Sequence, residues 1–215
     1  MTHERAPGLH VTDILQACGF RSRPDTDDEK MAFYLERGRF IHKATEFFDR
    51  GTLNWKTLHP KLVPYVEAYR AFREQVARTV FASEQAVASA KYGYVGRLDR
   101  VFADVAGVKG LVLMDIKTTQ ADAATRLQTS GYRLPWRAAN RNRKVRRGFV
   151  ALRKDGTFKH GIYEADTDDA DEVYWLSCVR FVRSGMEINA WRSRNKLAPI
   201  VWNVAEVEAV ETKKG

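Results

Sequence analysis

The chain predicts an α/β (α+β) fold, a β-sheet flanked by helices, and three observations predict it. Between residues 28 and 79, apolar side chains recur every three to four positions, as in helices with one packed face. From Val80 the period changes, and residues 81–91 and 94–104 read as strands. The run Leu111-Val112-Leu113-Met114-Asp115-Ile116-Lys117-Thr118-Thr119 is then apolar on both alternating faces, which suits a central strand. Asp115 and Lys117 fall on one side of that strand. A carboxylate and an ammonium are costly to desolvate there unless something uses them.

With 215 residues the chain is long enough for one domain with an ample core. Its formal net charge of +9 and pI near 9.6 favour a polyanionic partner. Two distant cysteines, Cys18 and Cys178, have no metal-ligand spacing, so a zinc ribbon, a four-thiolate iron–sulfur cluster and a disulfide scaffold are not expected. The N-terminus has no apolar leader and no run approaches 18 apolar residues, so a cytoplasmic protein without a membrane partner is expected.

In chain order, residues 1–25 read as an arm and a short helix over 14–18, closed by Gly19. Residues 26–80 form the helical part. One helix spans 28–50 with Met31, Leu35, Gly38, Ile41/His42, Thr45 and Phe48 on its stripe. A second, about 60–79, buries Leu62, Val66, Tyr69, Phe72 and Val76. Residues 81–183 hold the sheet, the basic segment and a closing helix. After the 111–119 strand, Thr118 or Thr119 caps a helix to about Gly131, and Pro135 marks its far side. Residues 149–152 and 158–163 flank Asp155-Gly156, a hairpin signal. A helix over 168–183 opens with acids and buries Val173, Leu176 and Phe181. Residues 184–215 form a C-terminal extension, with a strand expected over 197–204.

Asp/Glu-x-Lys alone is weak, since shuffling gives roughly 1.6 matches. Of the three present, only Asp115/Lys117 lies on an apolar strand. A turn about Gly107 makes antiparallel partners sum to about 214, setting Asp99 opposite Asp115. Two carboxylates at that separation repel unless a cation sits between them, and oxygen ligands favour Mg²⁺ or Mn²⁺. His42 lies one turn past Gly38, which would let the helix approach the sheet, although a lone helical His is more often structural. Gln128 and Tyr132 share a helix face and suit either nucleic-acid contacts or packing. Arg133, Arg137, Arg141, Arg143, Lys144, Arg146 and Arg147 form a segment without acids, suited to a phosphate backbone or simply to a solvated face.

Gly38-x-x-x-His42, Gly96-Arg97-Leu98-Asp99, Asp115-Ile116-Lys117 and Gln128-x-x-x-Tyr132, in that order, resemble the RecB-type branch of the PD-(D/E)XK nuclease superfamily. The resemblance implies a restriction-endonuclease-like core with a central mixed sheet, and divalent-metal phosphodiester hydrolysis. It implies metal ligation by His42, Asp99, Asp115 and the main-chain carbonyl of Ile116. Lys117 would be catalytic alongside Asp99 and Asp115, Glu84 a supporting acid, and Gln128 and Tyr132 part of the DNA path. An exonuclease acting on DNA ends or single strands follows, in a phage- or plasmid-like recombination and repair setting. The iron–sulfur cluster of some members is not implied by two cysteines. No phosphate-binding helicase motif is present, so any helicase or recombination partner would be another chain. The alternatives are a DNA-binding module that keeps the fold without catalysis, and a structure-specific endonuclease.

Overall fold

A computed structural model describes residues 8–21 and 28–200. The elements, in order, are β1 (Leu9–His10), α1 (Val11–Ala17), α2 (Asp28–Asp49), α3 (Val63–Gln75), β2 (Ala77–Ser89), β3 (Tyr94–Val105), β4 (Leu111–Lys117), α4 (Ala123–Ala139), β5 (Val145–Leu152), β6 (Phe158–Ile162) and α5 (Asp168–Arg194). The sheet is mixed and flanked by helices, as the sequence predicts. β2 pairs antiparallel with β3 along one edge. The other edge of β3 is shared: β1 runs parallel at Tyr94–Val95, and β4 runs antiparallel at Arg100–Phe102. β5 then pairs parallel with β4, and β6 antiparallel with β5.

β4 is central, and its first six residues are buried. Leu111 and Leu113 join a core with Tyr132, Trp136 and Trp175, under α1, α4 and α5. Val112, Met114 and Ile116 join a second core with Ile41, Tyr69 and Phe72, under α2 and α3. Alternating side chains thus serve two apolar layers, which is why the run reads as apolar throughout.

Several boundaries differ from expectation, each for a physical reason. α4 does not start at Thr118 or Thr119. Asp122 caps it, with its carboxylate accepting from Thr125 N at 2.9 Å and Thr125 Oγ1 returning to Asp122 N at 3.3 Å. Nor does α4 stop before Pro135; it runs on to Ala139. A proline in a helix deprives the carbonyl four residues earlier of its partner. That carbonyl belongs to Gly131, and the Tyr94 hydroxyl supplies the donor at 2.9 Å. Trp175 packs where a Gly131 side chain would stand.

Leu9–His10, expected as part of a loose arm, forms β1. α1 starts at Val11, three residues before the predicted 14–18, and its N-cap His10 makes no side-chain cap hydrogen bond. α3 is shorter than the predicted helix because β2 begins at Ala77. α5 is longer than predicted, and it buries Trp175, Cys178 and Val179 while Val173 and Phe181 are exposed. Residues 197–200 form no strand, and 201–204 lie outside the described residues.

The N-terminal half of α2 leaves Leu35 exposed, and Met31's side chain lies outside the described part. A Cβ at Gly38 would meet nothing within 4 Å. Gly38 therefore does not bring α2 close to the sheet. Ile41, Ala44 and Thr45 do, because with Glu46 they are the buried residues of this helix among those described. Cys18 and Cys178, distant in sequence, lie close in space as free thiols, with Cys18 Sγ 3.8 Å from the Cys178 carbonyl. Among the described residues, no helix is long and apolar enough to cross a membrane.

Candidate active site

The β3–β4 register sums to 214, from Arg100↔Met114 to Phe102↔Val112. Extended by one step it sets Asp99 opposite Asp115, as the turn about Gly107 predicts. The ladder stops there because the Asp99 side chain replaces it: Asp99 Oδ2 accepts from Ile116 N at 2.6 Å. The β2–β3 register sums to 183 on either side of the same point, Ser83↔Arg100 and Gln85↔Leu98. Glu84 therefore lies opposite Asp99 on the other edge. Its backbone takes φ +49, a conformation that costs a residue with a side chain of order 1 kcal/mol. Three acids, Glu84, Asp99 and Asp115, thus occupy one row across three adjacent strands.

His42 descends on this row from α2. Its Nδ1 lies 3.5 Å from Asp99 Oδ1 and 3.7 Å from Glu84 Oε1. The ligand atoms of His42, Glu84 and Asp99 all lie within 4.8 Å of one another. Asp115 is outside that cluster, although its charge is felt by both His42 and Asp99. It is 1% exposed, and neither carboxylate oxygen has a hydrogen-bond donor. Lys117 Nζ lies 2.7 Å from Asp115 Oδ2 but off a hydrogen-bonding direction, so this is an ion pair and the oxygens stay unpartnered.

The electrostatics follow from that crowding. Burial pushes the Asp99 carboxyl up to about 7, with Asp115 and Glu84 adding to the effect and His42 opposing it. Burial disfavours the charged His42 imidazole, but Asp99 and Glu84 outweigh it and push the group up to about 9. Burial also works against the Glu84 carboxylate, yet His42 and Arg100 hold it below its usual range. Burial and the close approach of three carboxylates, not a simple excess of charge, make the row one that a hard cation would relieve.

Arg100 fixes Glu84 from behind. The guanidinium is fully buried and donates to Glu84 Oε1 at 2.9 Å, Asp49 Oδ2 at 2.6 Å, Thr45 Oγ1 at 3.2 Å and the Asp99 carbonyl at 2.7 Å. Asp49 is also bonded by the Tyr69 hydroxyl at 2.7 Å and paired with Arg73. Neither Arg100 nor Asp49 stands out in the sequence. The available signal was an arginine directly beside Asp99 and followed by the apolar pair Val101 and Phe102.

On the other side, α4 orients Lys117. Gln128 Oε1 accepts from Lys117 Nζ at 2.9 Å, and Gln128 Nε2 donates to the Tyr132 hydroxyl at 2.8 Å. Arg21, from the segment after α1, also donates to Gln128 Oε1. Gln128 and Tyr132 are buried, 6% and 4% exposed, so in this conformation they position Lys117 rather than face a nucleic acid. Gly96 makes room for the Tyr132 ring, since a Cβ there would stand 2.7 Å from Tyr132 Cε1.

The basic segment is not where its sequence position suggests. α4 has 17 residues, which carry the chain roughly 25 Å from its start. β5 then begins beside Leu111, so Arg141, Arg143 and Lys144 lie at the far end of β4, roughly 20 Å from Lys117. Arg147 is fully buried, bonded to Asp168 Oδ1 at 2.7 Å and Asp171 Oδ2 at 2.5 Å. Arg133 pairs with Asp168 at 3.1 Å and with Glu172, and Arg137 pairs with Glu172 at 3.5 Å. Arg146 donates to the Tyr163 carbonyl at 2.8 Å. Asp168, Asp171 and Glu172, from the first two turns of α5, thus neutralise Arg133, Arg137 and Arg147. They bind α4, β5 and α5 together instead of leaving cations for phosphate.

Neither a scan of family models nor a search of curated proteins returns a match. Among solved structures, a protein of Eubacterium rectale named as a putative exonuclease aligns at 10% identity and TM-score 0.49, over 79% of this chain and 77% of that one. A second, which carries only a locus name, aligns at 12% identity and TM-score 0.37, over 84% of this chain and 79% of its own. At these levels neither likeness assigns an activity.

The donor set itself is informative. Imidazole nitrogen and carboxylate oxygens, with two buried oxygens of Asp115 unpartnered, fit a hard divalent ion and offer no thiolate for a softer one.

Proposed function

We propose that the chain is a divalent-metal-dependent nuclease of the RecB-type branch of the PD-(D/E)XK superfamily, hydrolysing phosphodiester bonds of DNA at ends or in single strands. The observation that carries this reading is the convergence of His42, Glu84 and Asp99 within 4.8 Å beside a buried, unpartnered Asp115 that touches Lys117. His42, Glu84 and Asp99, with Asp115 and the Ile116 carbonyl, would hold Mg²⁺ or Mn²⁺. Bound there, such an ion lowers the pKa of a ligated water and neutralises charge growing on phosphate oxygens.

The protein's own groups do the rest. The Ile116 N–H and Arg100 lock Asp99 and Glu84 in place, so the carboxylates need little reorganisation. Lys117, held between Asp115 and Gln128, offers a positively charged donor to the phosphate. Glu84 thus takes a direct place in the ligand set rather than a supporting one.

The test is a substrate panel. Linear and closed-circular DNA, single- and double-stranded, are incubated with Mg²⁺, Mn²⁺ or EDTA. Shortening of linear strands with either metal and none in EDTA is expected. Cutting of closed circles would make the enzyme an endonuclease. No metal-dependent cleavage of any substrate would overturn the proposal.

A further inference from the structure

If the 141–147 segment does not receive the nucleic acid, another surface must. On the catalytic side of the sheet, register sets Lys117 beside Ala151 and Ala151 beside Lys159. The neighbouring row is Asp115, Phe149 and Gly161. Side chains in one row of a sheet point to one face. Beyond Lys117 the face is therefore floored by two small residues, Ala151 and Gly161, with the Phe149 ring lying over Gly161. At the strand ends this floor opens into a groove of about 420 Å³, whose walls include Thr119, Arg153, Lys154 and Lys159.

Arg153, Lys154 and Lys159 are exposed. Arg153 lies near enough to Asp155 to help the Thr157 hydrogen bonds hold its carboxyl below the usual range, while Lys154 and Lys159 have no such partner among the described residues. Its one acid, Asp155, is turned into its own hairpin, accepting from Thr157 N at 3.0 Å and Thr157 Oγ1 at 2.7 Å. Lys159 lies two strands from Lys117, roughly 10 Å away between Cα atoms. That is within two nucleotides of the reacting phosphate. By contrast, the acids of α5 consume the arginines of α4 and early β5.

We infer that the groove between the 118–121 loop and the β5–β6 hairpin is the binding path for a single nucleic-acid strand leading to the Asp115/Lys117 centre. Lys154 and Lys159 take phosphates, and Phe149 takes a base. Exposed cations beside aromatic side chains, here Phe149 with Tyr65 also in the lining, are the parts single-strand binding uses. The inference borrows from the nuclease reading only the identity of the centre it leads to, so binding is measured without turnover.

The experiment uses fluorescence anisotropy of the full chain with a labelled poly-dT oligonucleotide in EDTA, over a salt series. For Lys154→Ala/Lys159→Ala, loss of two phosphate contacts lowers the slope of log Kd against log salt by about 1.4, and weakens binding roughly 25-fold at 0.1 M salt if the 1 M values agree. Phe149→Leu weakens binding with the slope unchanged. Unchanged affinity and slope in the double variant would overturn the inference. So would a loss confined to Arg141→Ala/Arg143→Ala, which would put the strand on the far turn, or a loss for duplex but not single strands. If the groove variant loses binding while the unmodified protein never cuts DNA, the groove stands and the nuclease reading falls.

Discussion

Replacing Arg100 by methionine probes the frame behind the acids. The side chain is fully buried and makes four hydrogen bonds, two of them to carboxylates. Methionine preserves much of the volume and removes the charge. Asp49 keeps Arg73 and the Tyr69 hydroxyl, while Glu84 keeps His42. Removing one partner of a buried charge pair costs about 3–5 kcal/mol, and these remaining partners set the lower end, about 3 kcal/mol. A domain of this size loses about 2–4 °C of Tm per kcal/mol, so a fall of about 6–12 °C is expected in EDTA by circular dichroism. Arg100→Lys keeps the charge but cannot reach Asp49 and Glu84 at once, so it lies between the two. A fall under about 2 °C for Arg100→Met would refute the idea that this arginine holds the site together.

Other consequences are simpler to state. Asp115→Asn and Lys117→Ala should each reduce cleavage by at least about 100-fold, because each removes a group at the reacting phosphate. DNA binding in EDTA is retained in Asp115→Asn and falls no more than about 5-fold at 0.1 M salt in Lys117→Ala, the loss of one phosphate contact; parallel rate and anisotropy measurements check this. Gly96→Ala should cost about 1–3 kcal/mol and slow cleavage, since its Cβ displaces Tyr132 and, through Gln128, Lys117; urea unfolding and single-turnover rates check both. Without metal, stability should fall as pH rises from 5 to 9. Asp99, raised to about 7, loses its contribution between about 3.8 and 7, and His42, raised to about 9, between about 6.5 and 9. Glu84, lowered, contributes fully above about 4.5 and adds no slope in that window. Tm against pH in EDTA reads this directly, and Mn²⁺ should flatten the curve.

The sheet was legible in the sequence because its central strand lies between two apolar layers, and the Asp99/Asp115 pairing because a short turn fixes register. Boundaries depended on remote partners. Nothing local says that the Tyr94 hydroxyl will accommodate Pro135, or that the helix will therefore run on to Ala139. The basic segment misleads for the same reason. Its neutralising acids come from α5, more than twenty residues later, where they also suit a helix start. Glu84 was visible as an acid on a strand. Its position opposite Asp99 follows from a register that only the β2–β3 pairing reveals. Arg100 was hidden by its setting, since an arginine next to Asp99 in a strand gives no hint that it joins α2 to the acids.

The claim on which the rest depends is that the acid row with His42 is a metal centre. Calorimetric titration of Mn²⁺ into the protein, beside an Asp99→Asn variant checked for an intact fold, tests it most directly. Saturable binding by the unmodified protein that weakens at least about tenfold in Asp99→Asn is the predicted result. Equal binding by both, or none by either, would contradict it.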